Sequence, residues 1–201
     1  MKRVNIAVFA SGQGSNFRRL VEAERAGELG CGHIALLISD KPTCGAVAYA
    51  THVGIPCFAH THQELQGKAQ WEQMVLNKLQ QEQIGFVVLA GYMKLIGITL
   101  IEAYEQRMIN LHPSLLPAFK GLNAVEQALA AKVSETGVTV HYVDAQLDAG
   151  PILEQVRVPI FETDAVEDVL ARVHRAEHEL LPRVVKQWCE REIGCHGKGI
   201  N

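Results

Sequence analysis

RMINLHPSLLPAFKG, residues 107–121, starts as a short apolar strand and stops abruptly at a proline. Successive side chains of a strand point to opposite faces, so Ile109 and Leu111 share one face while Asn110 and His112 share the other. Pro113 disfavours helical backbone at His112, so the ring should project from an extended strand end. Upstream of this stretch strands and helices alternate, and downstream the rhythm changes. The stretch therefore divides the chain and decides the fold.

Upstream, residues 4–9 and 34–38 are short apolar runs of the kind buried on both faces of a parallel sheet. Helical stretches follow each, over residues 16–26 and 45–53. Residues 56–59 make another strand, and residues 69–83 place Trp71, Val75 and Leu79 at helical spacing. Residues 86–90 and 108–111 are two more strands, with a short helix between them. This alternation predicts a parallel, doubly wound sheet through about residue 112.

Downstream, residues 123–131 read as a helix. Residues 137–143 and 151–160 follow each other with only a loop between, as antiparallel strands do. A final long helix, capped by Thr163 or Asp164, runs towards Trp188, with Pro182 expected to kink it. The expectation is one α/β domain over residues 1–190, divided into halves 1–112 and 113–190, with residues 191–201 as a frayed tail.

The chain has 201 residues, 48% of them hydrophobic and 20% charged, and a net charge of -3. That balance suits a soluble globular protein and gives no basic surface for nucleic acid or anionic membrane. No apolar run approaches the roughly 20 residues of a membrane-spanning helix. Lys2 and Arg3 precede an apolar run, as in a signal peptide, but Ser11-Gly12-Gln13-Gly14 cuts it short. Five cysteines without a CxxC pair fit free thiols in a reducing cytoplasm.

The first strand leads into FASGQGSN, at a point where α/β proteins bind anions. The dinucleotide fingerprint fails, because Phe17 stands where its third glycine belongs, and no P-loop lysine is present. Two readings stay open: backbone N–H groups of Gly14, Ser15 and Asn16 holding a phosphate, or a plain turn with Ser15 or Asn16 as N-cap.

Asn110 and His112 end at the same sheet edge, and an amide beside an imidazole suits acyl transfer. Asn donates to a developing oxyanion, and His moves a proton. A histidine satisfied in a turn is the bland alternative. A nearby carboxylate would favour the charged imidazole, and VDAQLDAGP offers Asp144 and Asp148 without a basis for choosing. Glu177 interrupts the apolar stripe Val166, Leu170, Val173, Leu180, Leu181 and Val184 of the last helix. It therefore needs a partner or a cavity, and a bound amine would serve. His174-Arg-Ala-Glu177-His178 also matches an inverted zinc-protease pattern, though His178 falls towards solvent.

SGQGSN, LAGYMKLI, NLHPSLLPAFKG, TVHYV, LDAGPI and RAEH occur in an order that resembles the glycinamide ribonucleotide formyltransferase family, over residues 4–188. The resemblance implies a Rossmann-like formyltransferase fold in the cytoplasm, monomeric or homodimeric, without a metal. It implies transfer of a formyl group from 10-formyltetrahydrofolate to the amine of glycinamide ribonucleotide, in purine synthesis. Asn110, His112 and Asp148 would be catalytic. Gly14, Ser15, Asn16, His174 and Glu177 would bind the ribonucleotide. Lys68, Met93, Lys94, Leu95, Ile96 and Asp144, together with Asn110 and Asp148, would hold the folate. Lys94 stands where the family more often has Arg, and the two differ in planar contacts. The alternatives are a formyltetrahydrofolate hydrolase or another folate-dependent formyltransferase, a zinc hydrolase, and a non-catalytic phosphate-binding module.

Overall fold

The structure, a computed structural model, describes residues 3–196. A sheet of seven strands lies at its centre, in the order β3-β2-β1-β4-β5-β6-β7. The strands are β1 (Val4–Phe9), β2 (Gly32–Ser39), β3 (Cys57–Ala59), β4 (Ile84–Leu89), β5 (Met108–His112), β6 (Glu135–Tyr142) and β7 (Ile152–Pro159). The helices are α1 (Ser15–Arg25), α2 (Gly45–Val53), α3 (Lys68–Gln81), α4 (Ile98–Ala103), α5 (Ala124–Ala130) and α6 (Val166–His196).

Strands β1 to β5 pair in parallel, and β6 and β7 add antiparallel beyond β5. The change of direction follows His112, where the sequence pattern also changes. Each connection before β5 contains a helix, as a parallel crossover requires, and the loop between β6 and β7 suits only an antiparallel pair. The connection from β5 to β6 also contains a helix, α5, so its length does not set the reversal there.

Both faces of the sheet are covered. Ile6, Val8, Phe86, Val88, Ile109 and Leu111 pack with α1, α5 and α6 on one side. Ala7, Phe9, Val87, Leu89 and Met108 pack with Trp71, Val75 and Leu79 of α3 on the other. The alternation over residues 6–9 of β1 and 86–89 of β4 is the period-two signature of strands buried on both faces. Trp188 of α6 stacks on Phe86 at 3.8 Å between ring centroids and locks the last helix to the centre of the sheet.

The expected elements all form, with differences at their ends. Neither Ser15 nor Asn16 caps α1: Gly14 holds the N-cap position with φ 75°, and no side chain caps the helix. A Cβ at Gly14 would lie 2.6 Å from that of Ala46, so close packing against α2 as well as backbone shape requires glycine. Helix α3 ends at Gln81, two residues early, because Gln83 turns to positive φ.

Asp164 does not cap α6. Its carboxylate takes the Phe161 N–H and pairs with Arg172, while Asp168 reaches back to the Ala165 N–H. Pro182 lies within α6, which continues past it as one helix. That helix runs to His196, into the stretch expected as a tail, and residues 197–201 lie outside the described residues. Among the described residues no helix is long and apolar enough to cross a membrane.

Candidate active site

β1 lies between β2 and β4, so the connections leaving β1 and β4 depart to opposite sides of this point. Open α/β sheets bind ligands at such a switch point, beyond the carboxyl ends of the strands. A cleft of about 800 Å³ opens there. It is lined by the turn after β1, the segment after β4, the end of β5, the β6–β7 loop and one face of α6. The size suits a drug-sized organic ligand.

β5 delivers Asn110 and His112 to the cleft on the face opposite Ile109 and Leu111, as the alternation requires. His112 is 5% exposed, and its Nε2 lies 2.9 Å from the Phe119 carbonyl. A carbonyl only accepts, so Nε2 carries a proton. Nδ1 then faces Asp148, with Oδ2 at 3.5 Å. Asp148, not Asp144, meets the histidine. Asp144 instead accepts the Gln146 N–H and shapes the loop, while still lining the cleft.

The Asp148 backbone has φ 47°, in the left-handed region that Asp tolerates better than most residues. Its Oδ2 accepts the Gly121 N–H at 2.8 Å. Burial pushes this carboxyl up, but the nearby His141, its Nε2 3.7 Å from Oδ1, the Gly121 N–H and His112 together outweigh burial. The net result holds it below the ordinary 3.8.

His141 was not among the residues singled out from the sequence. It sits on β6 directly across from Asn110, so both side chains emerge on one face. Its Nδ1 donates to the Tyr142 carbonyl at 2.8 Å, and its Nε2 lies 3.1 Å from Asn110 Nδ2 and 3.7 Å from Asp148 Oδ1. Asn110 Nδ2 also donates to Asp148 Oδ1 at 3.3 Å. Two histidines, an asparagine and an aspartate thus form one buried network. Period-two alternation within TVHYV puts His141 on the face opposite Val140, the one signal that could have pointed to it.

The turn that follows His112 is fastened to the sheet. Thr139 Oγ1 donates to the Ser114 carbonyl at 2.6 Å and accepts the Leu116 N–H at 3.1 Å. Ser114 Oγ donates to the Ala118 carbonyl. These bonds place the Phe119 carbonyl against His112 and the Gly121 N–H against Asp148, so the polar residues of this turn position that pair.

Gly14, Ser15 and Asn16 line the same cleft, and Asn16 is buried. Asn16 Nδ2 donates to Glu177 Oε2 at 2.9 Å, which supplies the partner the buried carboxylate needs. Asn16 Oδ1 is buried with no hydrogen-bond partner, an acceptor awaiting an N–H or O–H from a ligand. Glu177 is 6% exposed, and burial raises its carboxyl above 4.5, against the opposing influence of Asn16 and His174. His174 lines the cleft one turn away and is exposed.

The opposite wall is formed by Met93, Lys94, Leu95 and Ile96, with Lys68 at its edge. Met93 and Leu95 are more than half exposed, a conspicuous amount for large apolar side chains. Lys68 pairs with Glu72 at 3.6 Å. Every site residue expected from the sequence lines this one cleft. The His-x-x-Glu-His pattern is not drawn into a metal site. Among the described residues no group of three His, Cys, Asp or Glu side chains is placed to hold an ion.

A glycine-rich turn at a helix start, an amide–imidazole–carboxylate network and a mainly apolar cleft at the sheet switch point suit a group-transfer enzyme. Residues 4–185 match the formyl transferase family, and the chain belongs to it. Within that family it is similar to phosphoribosylglycinamide formyltransferase of Bacillus subtilis (strain 168), 45% identical over 181 residues, covering 90% of this chain and 92% of the relative. The crystal structure of phosphoribosylglycinamide formyltransferase from Bacillus halodurans superposes with a TM-score of 0.88 at 45% identity, over 92% of this chain and 94% of the other. That of glycinamide ribonucleotide transformylase 1 from Geobacillus kaustophilus gives 0.90 at 44%, over 93% and 99%.

Proposed function

We propose that the protein transfers the formyl group of 10-formyltetrahydrofolate to the primary amine of glycinamide ribonucleotide. The products are formylglycinamide ribonucleotide and tetrahydrofolate. One observation carries the reading: Asn110, His112 and Asp148 meet in the cleft that also holds the Gly14–Asn16 turn and Glu177. The names of the relatives agree with transfer rather than hydrolysis.

The amine attacks the formyl carbon, and the carbonyl electrons move onto oxygen to give a tetrahedral intermediate. Its oxyanion needs donors in place beforehand. Asn110 Nδ2 supplies one by exchanging its longer bond, the 3.3 Å contact to Asp148, for the oxyanion. His112, protonated at Nε2 towards Phe119, carries the mobile proton on Nδ1 beside Asp148. Collapse of the intermediate breaks the bond to N10, which leaves with a proton, while the attacking nitrogen loses one. Asp148 Oδ2, 3.5 Å from Nδ1, orients the imidazole for this proton movement.

The ribonucleotide phosphate fits the N–H groups of Gly14, Ser15 and Asn16 at the start of α1. His174 stands near enough to face the same substrate, and Glu177 with Asn16 Oδ1 accepts its hydroxyl or amine hydrogens. The folate ring system lies against Met93, Leu95 and Ile96, and Lys68, Lys94 and Asp144 frame the entrance.

The test is release of tetrahydrofolate from 10-formyltetrahydrofolate with and without glycinamide ribonucleotide. Release that requires the amine, with a matching yield of formylated product, is the expected result. Release at the same rate without the amine identifies a hydrolase, and binding without turnover identifies a binding module.

A further inference from the structure

The cleft wall at residues 93–96 belongs to no helix or strand, yet both of its ends are tied to carboxylates that do not line the cleft. At one end the Met93 N–H donates to Ser11 Oγ at 3.0 Å, and Ser11 Oγ donates to Asp40 Oδ1 at 2.5 Å. At the other the Gly97 N–H donates to Glu72 Oε1 at 2.7 Å. Asp40 is 6% exposed and Glu72 5% exposed. The Glu72 carboxylate lies flat against Gly97, where a Cβ would fall 2.2 Å from Oε2. Tyr92 fills the space between, stacked on Trp71 and edge-on to Phe9. Its hydroxyl is raised by burial and by the negative charges of Asp40 and Glu72, which places both carboxylates about it.

A buried carboxylate is costly to place on a helix face that could have been apolar, so its position asks for a reason. Its hydrogen bond to a backbone N–H is of the strong, charge-assisted kind, and it fixes a segment that has no regular structure of its own. Lys68, one turn before Glu72 on α3, pairs with the same oxygen that accepts from Gly97. One side chain thus sets both the wall and the lysine at its edge.

We propose that Glu72 is a positioning residue for the folate side of the cleft, holding residues 93–96 in place through the Gly97 N–H while touching neither substrate. This deepens the formyl-transfer reading and rests on it. The ribonucleotide side, built on the turn after β1 and on α6, has no share in this contact.

The experiment compares Glu72→Ala, Glu72→Gln and Gly97→Ala with the parent. Glu72→Ala should raise KM for 10-formyltetrahydrofolate about tenfold, the effect of one lost charge-assisted bond, and leave kcat and the ribonucleotide KM within about twofold. Glu72→Gln keeps an oxygen for Gly97 and should restore most of the folate KM. Gly97→Ala displaces the carboxylate from the other side and should reproduce the Glu72→Ala signature, which covers the case in which Glu72→Ala does not fold. An unchanged folate KM, or equal increases for both substrates, overturns the proposal. So does a Glu72→Gln protein no better than Glu72→Ala, since the effect would then run through Lys68 alone. If the parent shows no amine-dependent transfer, the functional reading fails by itself. The clamp is then judged by hydrogen exchange at the Gly97 amide: faster exchange in Glu72→Gln than in the parent is not expected, faster exchange in Glu72→Ala supports it, and unchanged exchange in Glu72→Ala overturns it.

Discussion

Asp148 and Glu177 are both buried carboxylic acids in one cleft, and their surroundings drive them in opposite directions. The stabilisation from ionised Asp148 is complete above the ordinary 3.8 and is lost as pH falls through its lower folded value. Glu177 has a raised folded value, so its contribution is present below 4.5 and is lost as pH rises through that value. In urea unfolding at a series of pH values, Asp148→Asn should be less stable than the parent at neutral pH, with the gap closing in acid. Glu177→Gln should be at least as stable as the parent at neutral pH, again converging in acid, while its KM for the ribonucleotide rises. For Asn110→Ala, loss of one oxyanion donor should lower kcat about 100- to 1000-fold, with an unchanged circular dichroism spectrum. Near-normal turnover would remove Asn110 from the mechanism. The sharing of one face by Asn110 and His112 was legible because period two is a local property of a strand. His141 was not, because it joins Asn110 through the β5–β6 register, which brings together residues 31 positions apart. The choice between Asp144 and Asp148 was hidden for a related reason: it turns on the backbone angle of one loop residue.

The β6–β7 connection shows how one element's shape determines a residue's aim. Gly150 follows Asp148 closely and passes the end of β6 with no space to spare, for a Cβ there would lie 1.9 Å from the Tyr142 carbonyl oxygen. Gly150→Ala should force this loop outward, costing about 1–3 kcal/mol in stability and moving Asp148 away from His112. A melting curve and kcat measured on the same preparation check it, and a drop in melting temperature with kcat intact would separate the glycine from catalysis. Most strands and helices were readable from apolar periodicity, and the α2 boundaries agree with the expected 45–53. The capping of α1 and α6 was not, because both starts depend on contacts outside the expected capping pattern. In α1 the approach of Ala46 and a left-handed glycine take the place of a cap, and in α6 Asp168 reaches back to Ala165.

At the scale of the whole molecule, α6 covers one side of the sheet together with α1 and α5, and Trp188 is one of its anchors. The ring is 6% exposed and stacks on Phe86 at an interplanar angle of 11°. Trp188→Ala should cost about 3–5 kcal/mol, read from a denaturant titration, because it leaves a cavity between helix and sheet. A loss within about 0.5 kcal/mol would mean that the helix is held elsewhere. The antiparallel pairing of β6 with β7 followed from their short connection, which sequence displays directly, unlike the reversal between β5 and β6, whose connection carries α5. The strand order did not, since the pairing of β1 with β4 joins strands some 80 residues apart, and no local pattern records it.

The Asn16–Glu177 hydrogen bond joins side chains 161 positions apart, from the first helix and the last. During synthesis β5, which bears Asn110 and His112, emerges well before the helix that bears Glu177. A chain still on the ribosome therefore has the strand end without the partner of Asn16. This side of the cleft takes shape only once α6 has been made and has packed back against α1.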